Sequence, residues 1–343
     1  MRIILLGIGL ALAGVAAGQE TPRTAPVTAA PAVEDAGDAG IERLSTVNVT
    51  GAQPGPPLWL VRKGNNELWI LGVVSPLPRD MTWQSREVAE VVARSQELIE
   101  SPSISVDVDA GFFGKLALLP SALKARNNPD GRTLAEVLPP ATHARWQVLK
   151  ARHIGRDAGI EKRRPVVAAS ELYEEALDDA RLGGKPVVTP VLDPLVKQAG
   201  LKRTAVRVKH TISDPKKLLK EARTASFEDA PCFEAMLDTV ENELPLMRAR
   251  ANAWATGDID TLRAIPARDT MTPCWNAYAG TAIGDKAGVR DLPARMRAAW
   301  VAAAESALAR NRSTLAILPM SGLLRREDFL AKLEARGYEV IEP

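Results

Sequence analysis

Two serines stand where a strand pattern gives way to a loop, and they are the first groups in this chain that could do chemistry. Across residues 68–78, Leu-Trp-Ile-Leu-Gly-Val-Val-Ser-Pro-Leu-Pro, an apolar run predicts a buried strand; Gly72 and Pro76 stop it, and Ser75 is the first polar side chain at its end. Residues 314–318 form a second such run, stopped by Pro319, so that Ser321 occupies the corresponding place. A serine hydroxyl can attack a carbonyl when a base lies within about 3 Å, and Glu100, Lys209 and His210 are the groups available for that role. Neither serine lies in Gly-x-Ser-x-Gly or Ser-x-x-Lys, and a serine at a strand end is more often a turn or helix-cap residue.

Metal chemistry has less to work with. A hydrolytic ion needs about three imidazole or carboxylate ligands and an open position. The chain has 3 histidines, His143, His153 and His210, none with a histidine partner at i, i+4, so each is expected to be an ordinary surface or hydrogen-bonded residue. No metal and no cofactor is expected.

The elements that must position the two edges can be read in order. Residues 57–61 and 67–74 read as strands joined by a Gly-Asn turn; a helix follows over 85–96 with Val88, Val91 and Val92 on one face and Ser85 as cap; residues 97–101 form a strand stopped by Pro102. From about 110 to 290 the pattern is largely helical. The clearest helix there has Leu172, Ala176 and Ala180 on one face and ends at Gly183-Gly184; residues 187–196 read as loop or loop-to-helix, and 204–211 as a short strand. In the Trp254–Asp258 stretch, Gly257 ends one helix and Asp258 caps the next. A helix over 295–310, the strand before Ser321, a helix from 326 to Gly337 and a strand over 338–341 complete the chain. Strand, helix and strand at each end predict an α/β fold, with α+β as the alternative, whose mixed sheet comes from the N- and C-terminal thirds around a helical middle insertion.

Composition bounds the rest. A chain of 343 residues that is 46% hydrophobic can bury a sizeable core. Its 44 basic and 42 acidic residues leave a formal charge of +2 with no basic track interleaved with aromatics, which argues against nucleic acid as a partner; Lys162-Arg163-Arg164 and Lys216-Lys217 read as solvated faces. Residues 1–18 read as a signal peptide: Arg2, an apolar stretch over 3–15, then Ala16, Ala17 and Gly18. Uncleaved, the stretch would be an anchor, and no later stretch could span a bilayer. Residues 19–55, rich in Ala, Pro, Thr and acids, read as a disordered tether before a domain over 56–343. In an exported protein Cys232 and Cys274 are expected to pair, closing a loop of roughly 40 residues and stabilising the fold by roughly 4 kcal/mol on the chain-entropy account.

Several segments in order, Leu58-Trp59 to Gly72, Glu97-Leu-Ile-Glu100, Gly131-Arg-Thr-Leu134, Trp254-Ala-Thr-Gly-Asp258, and residues 315–341 with their Arg-Gly-Tyr-Glu-Val, resemble the TraB/GumN family. The resemblance implies a TraB/GumN-like core and two Gly-x-x-His motifs, one at each strand end, supplying metal ligands or catalytic groups in hydrolase and metalloprotease members. Here those motifs align with Gly72-Val-Val-Ser75 and Leu318-Pro-Met-Ser321, so both histidines are serine. Glu100 matches the family's early acidic residue, the acidic position near Lys209-His210 is basic, and Arg297 aligns with a family arginine at a spacing to Trp300 that is off by one. Serine hydroxyls are poor first-row metal ligands at neutral pH. The resemblance with both histidines replaced implies a catalytically degenerate, exported hydrolase relative, periplasmic or secreted, that binds a small ligand or an envelope protein. Ser75, Ser321 and Glu100 would line one pocket, with Arg297 and His210 as binding candidates. The alternatives are a metal-independent serine hydrolase or peptidase using Ser75 or Ser321, and a structural envelope protein.

Overall fold

In the computed structural model, residues 55–225, 229–325 and 329–343 are described; the expected signal segment, nearly all of the tether and the start of the last expected helix at residue 326 lie outside them. The strands are β1 (Leu58–Lys63), β2 (Asn66–Val73), β3 (Glu97–Ile99), β4 (Ser103–Val108), β5 (Lys202–Thr204), β6 (Arg207–Ile212), β7 (Ser313–Pro319) and β8 (Glu339–Ile341). A six-stranded sheet runs in the order β5-β3-β7-β2-β1-β8, and β4 pairs with β6 in a sheet of two. β2, β7, β3 and β5 are mutually parallel, whereas β1 is antiparallel to both neighbours. The mixed α/β class read from the sequence is therefore the class observed.

The hairpin forms as read: β1 and β2 meet through Lys63↔Asn66, with Gly64 at φ 60° in the turn, a conformation that glycine adopts without strain. Strands β2 and β7 are apolar throughout their centres because parallel strands in the middle of a sheet are covered on both faces; Leu68, Ile70, Leu71, Leu315, Ala316 and Leu318 have no exposed surface. The helix Arg86–Arg94 covers the face carrying Trp69, where the Arg94 guanidinium lies 4.8 Å from the ring centre. The short helix Met320–Leu324 covers the opposite, Gly72 face. Ser85 holds the N-cap position of the first of these without a side-chain cap bond.

The middle third departs from a purely helical insertion. The strand read over 204–211 is β6 (Arg207–Ile212), with Thr204 ending the short β5; β5 extends the main sheet beside β3, and β6 pairs with β4, a strand that the sequence pattern did not show. The two parallel pairs follow one another along the same two stretches of chain with a register shift of one residue, from Ile99↔Thr204 to Ser103↔Arg207; Glu100 N donates to Thr204 O at 3.0 Å, and Ser103 N to Val206 O at 2.9 Å. Of the two readings of 187–196, loop or loop-to-helix, the second is observed: a helix, Thr189–Gln198, whose Pro190 sits in the first turn, where its missing N–H costs nothing.

A second apolar cluster fills the helical part around Trp146 and Phe233, whose rings lie 5.5 Å apart. The Cys232–Cys274 disulfide sits in it and ties helix Ala230–Asp238 to helix Met271–Ala279. The solvated-face reading fails at Arg164, which is buried and donates to the carbonyls of Ala125, Ala222 and Ala225. Three carbonyl acceptors and the nearby Asp229 carboxylate make a buried guanidinium tolerable there.

Two predictions follow from this packing. Gly72 has no room for a side chain: a Cβ there would come within 2.8 Å of Met320 Cε and 2.9 Å of Leu323 Cδ1 and Trp59 Cζ3. Gly72→Ala is expected to lower the unfolding free energy by about 1–3 kcal/mol in denaturant titrations. Beside Arg164, burial pushes the Asp229 carboxyl from 3.8 up to about 6, although the guanidinium pulls the other way. A folded-state value above the unfolded one means that this group favours the folded state below pH 3.8 and loses that advantage as pH rises through about 6. Asp229→Asn should therefore gain on the natural chain by roughly 2 kcal/mol between pH 4 and pH 7, read as the difference between their stability curves.

Candidate functional site

The site is built by the sheet order. β2 and β7 are adjacent and parallel, paired as far as Gly72↔Leu318 and Val73↔Pro319, so Ser75 and Ser321 each lie two residues beyond the last paired position at the same end of the sheet. After β2 the chain passes over the Trp69 face to β3, beyond β7; after β7 it passes over the Gly72 face to β8, beyond β1. Neighbouring parallel strands whose exits diverge to opposite faces leave a crevice at their carboxyl ends, the usual ligand position in open α/β sheets.

The loops that leave the two strand ends, the rims of such a crevice, are both pinned. The loop after β2, which contains a cis Ser75–Pro76 peptide bond, is held by the turn after helix Pro165–Asp179. Gly183 N donates to Leu77 O at 2.8 Å, Arg79 N to Arg181 O at 3.1 Å, and Arg79 Nε to Gly183 O at 3.1 Å. Arg79 and Arg181 also pair with Asp178 and Asp80. The turn takes this shape because Gly183 and Gly184 adopt φ of 62° and 74°. On the other rim, Arg325 Nε donates to Ser321 O at 3.1 Å and its Nη1 to Asp269 Oδ2 at 3.1 Å. Burial works to raise the Asp269 carboxyl, but the bonds from Thr272 and Arg325 outweigh it and hold it below the usual carboxylate range.

The floor is Gly72 itself. Its carbonyl accepts a buried 2.6 Å bond from Trp254 Nε1, and the Trp254 ring lies 5.6 Å from that of Trp83. The Trp254–Asp258 stretch is thus more than a helix stop, although it does that as read: Gly257 has φ 70°, and Asp258 accepts from Thr261 N at 2.9 Å.

One turn before Trp254 on the same face of helix Leu244–Ala255 stands Arg250, buried, donating to the buried Glu243 at 2.8 Å. Glu243 closes a π-helical turn, Thr239–Glu243, and also faces Arg268 at 3.4 Å; Arg268 reaches Asp238 at 3.6 Å, and Asp238 is paired with Arg145. These charges went unmarked in the sequence. The one signal was their spacing of seven, which reads as one helix face and is then equally the mark of a solvated stripe.

The sequence-derived candidates divide. Ser75 is exposed and Ser321 half-buried, and neither hydroxyl hydrogen-bonds another described residue. Glu100 follows β3 on the far side of β7 from β2, and its carboxylate accepts from Arg203 Nε at 2.9 Å, an arginine that also holds Asp193. His210 is on β6 in the small sheet, with Nε2 donating to Ala287 O at 2.5 Å. Arg297 lies on helix Leu292–Arg310 between Met296 and Ala299, both packed against the cluster around Val208. His153 pairs with Asp179 at 2.7 Å, and His143 contacts Gln147 at 3.0 Å. Among the described residues no three His, Cys, Asp or Glu side chains converge to hold a metal ion. Those two serines and these engaged side chains do not fit a hydrolytic metal.

Comparison with known proteins bears on the family alone. No curated protein and no solved structure matches the chain. The model of the TraB/PrgY/gumN family matches residues 57–342, from the first residue before β1 to the last before the C-terminal Pro343, and so takes in both strand ends that frame the crevice. The chain belongs to the TraB/PrgY/gumN family.

Proposed function

We propose that this chain is an exported family member that no longer performs metal-dependent hydrolysis and instead binds a polar ligand or a protein partner of the bacterial cell envelope at the β2/β7 crevice. The observation that carries the reading is the pair of hydroxyls, Ser75 and Ser321, at equivalent places beyond two in-register parallel strands. Hydroxyls there can donate and accept hydrogen bonds but bring no charge to hold a divalent ion. Glu100 and His210, the groups that could have supplied a carboxylate or a base, are held by Arg203 and by the Ala287 carbonyl. Rims pinned on both sides support a binding role, because a preorganised crevice loses less entropy when it is filled. The Cys232–Cys274 disulfide is compatible with an oxidising compartment.

Three measurements test this. Protein purified from the periplasm should begin near residue 19 with Cys232 and Cys274 joined, by intact mass; a cytoplasmic, full-length product would overturn the export reading. Metal analysis of that protein should find no stoichiometric ion, and a stoichiometric ion lost in Ser75→Ala would sink the degenerate-site reading. A fluorophosphonate probe should leave the protein unlabelled; labelling abolished by Ser75→Ala or Ser321→Ala would instead establish a serine hydrolase.

A further inference from the structure

Away from the crevice, the helix Phe112–Ala125 presents an unusual surface. Its sequence, Phe-Phe-Gly-Lys-Leu-Ala-Leu-Leu-Pro-Ser-Ala-Leu-Lys-Ala, is mostly apolar, with Lys115, Ser121 and Lys124 as its polar side chains, yet only Leu118 is buried. Phe112 and Phe113 are 77% and 82% exposed and touch edge to face, while Leu116 and Leu123 are about half exposed. Large apolar side chains grouped this way on a surface mark an interaction site.

The small sheet says what kind of partner fits. Val108 and Ile212 are paired at the ends of β4 and β6, and each strand is followed by a helix that starts at nearly the same distance beyond: Phe112–Ala125 after β4 and Pro215–Thr224 after β6. The two helices pack side by side. The first turn of one therefore carries Phe112 and Phe113, and the first turn of the other carries Lys216 and Lys217, followed by Lys220 and Arg223, all exposed. The acidic groups nearby are mostly engaged: Asp107 with Lys115 at 2.8 Å, Asp214 as cap to Lys217 N, and Glu221 with Lys286 at 2.7 Å, leaving Asp109. A second copy meeting this face about a two-fold axis would bring the four cations of each copy together, which disfavours self-association. At 14 residues the helix is about 21 Å long, too short to cross a bilayer, and among the described residues no helix is long and apolar enough to do so.

We propose that this face docks on an anionic lipid bilayer, with Phe112, Phe113 and Leu116 entering the interface and Lys216, Lys217, Lys220 and Arg223 meeting the headgroups. Aromatic and leucine side chains flanked by lysines are the composition of helices that lie in the plane of a membrane surface. The surface is independent of the β2/β7 crevice, so it stands or falls separately from the reading of that site.

Co-sedimentation of the full chain with vesicles tests it, using equal parts phosphatidylglycerol and phosphatidylcholine against phosphatidylcholine alone. Binding is expected to favour the anionic vesicles; Phe112→Ser with Phe113→Ser should weaken it roughly tenfold or more, and Lys216→Glu with Lys217→Glu should remove the preference for anionic lipid. Thermal unfolding of each variant should match the natural chain, and Leu116→Ser supplies a second apolar change should the double variant misfold. Equal binding by the natural chain and the phenylalanine variant would assign the attachment to residues 3–15 or to charge alone and overturn the proposal. So would absence of binding to anionic vesicles, or self-association in solution that the phenylalanine variant abolishes.

Discussion

One buried hydrogen bond, from the Trp254 indole to the Gly72 carbonyl, joins the two halves of this molecule at the place where a site is framed. Gly72 lies one residue beyond the last β2 position paired with β1, Leu58↔Leu71, and the indole satisfies its buried carbonyl, an acceptor that would be costly to leave without a partner. The same residue must be glycine because Met320, Leu323 and Trp59 close over its other side. The first strand end, the second strand end and the helical region thus converge on a residue with no side chain. Neither rim could shift alone without opening a void or orphaning a carbonyl.

Charge is handled differently at the two ends of the sheet. At the amino end of β3, burial would raise the Glu97 carboxyl, but hydrogen bonds from Thr204, Asn311 and Arg310 overcome it and hold it below its ordinary range. That carboxylate, with Lys202 at 3.4 Å, stitches β3, β5 and the start of β7 together. Beyond the carboxyl end, the buried Glu243–Arg250 pair and its surface partners brace the π-helical turn behind Trp254. Buried pairs of this kind contribute little net stability against an apolar core of the same shape, but losing one partner is costly. They therefore hold the geometry behind the crevice more than they add to stability.

The order of strands in the chain, the apolar centres of β2 and β7, the helix end before Gly257 and the pairing of Cys232 with Cys274 were legible because each depends on local periodicity, glycine's access to positive φ or a count of two, whereas the helix read as ending at Gly183 stops at Asp179, where Arg181 takes the positive φ. The pairing of β5 with β3 and of β6 with β4 was not legible, since partners more than a hundred residues apart leave no mark in either local pattern. Nor was the burial of Arg164, Arg250, Glu243 and Asp229. A charged residue in a helix reads as solvated until something packs over it, and sequence spacing does not say what will.

The sequence by itself determined the composition of the two strand ends: serine at both places where the family resemblance expects histidine, and hence hydroxyl chemistry at each. Only the tertiary structure decided that these ends are neighbours in register, that their chains leave to opposite faces, and that Glu100 and His210 are taken up by Arg203 and the Ala287 carbonyl. The physical reason is that residue identity is a local property, whereas adjacency in a parallel sheet is set by crossovers that bring together residues more than two hundred apart in the chain, with no trace in either segment alone.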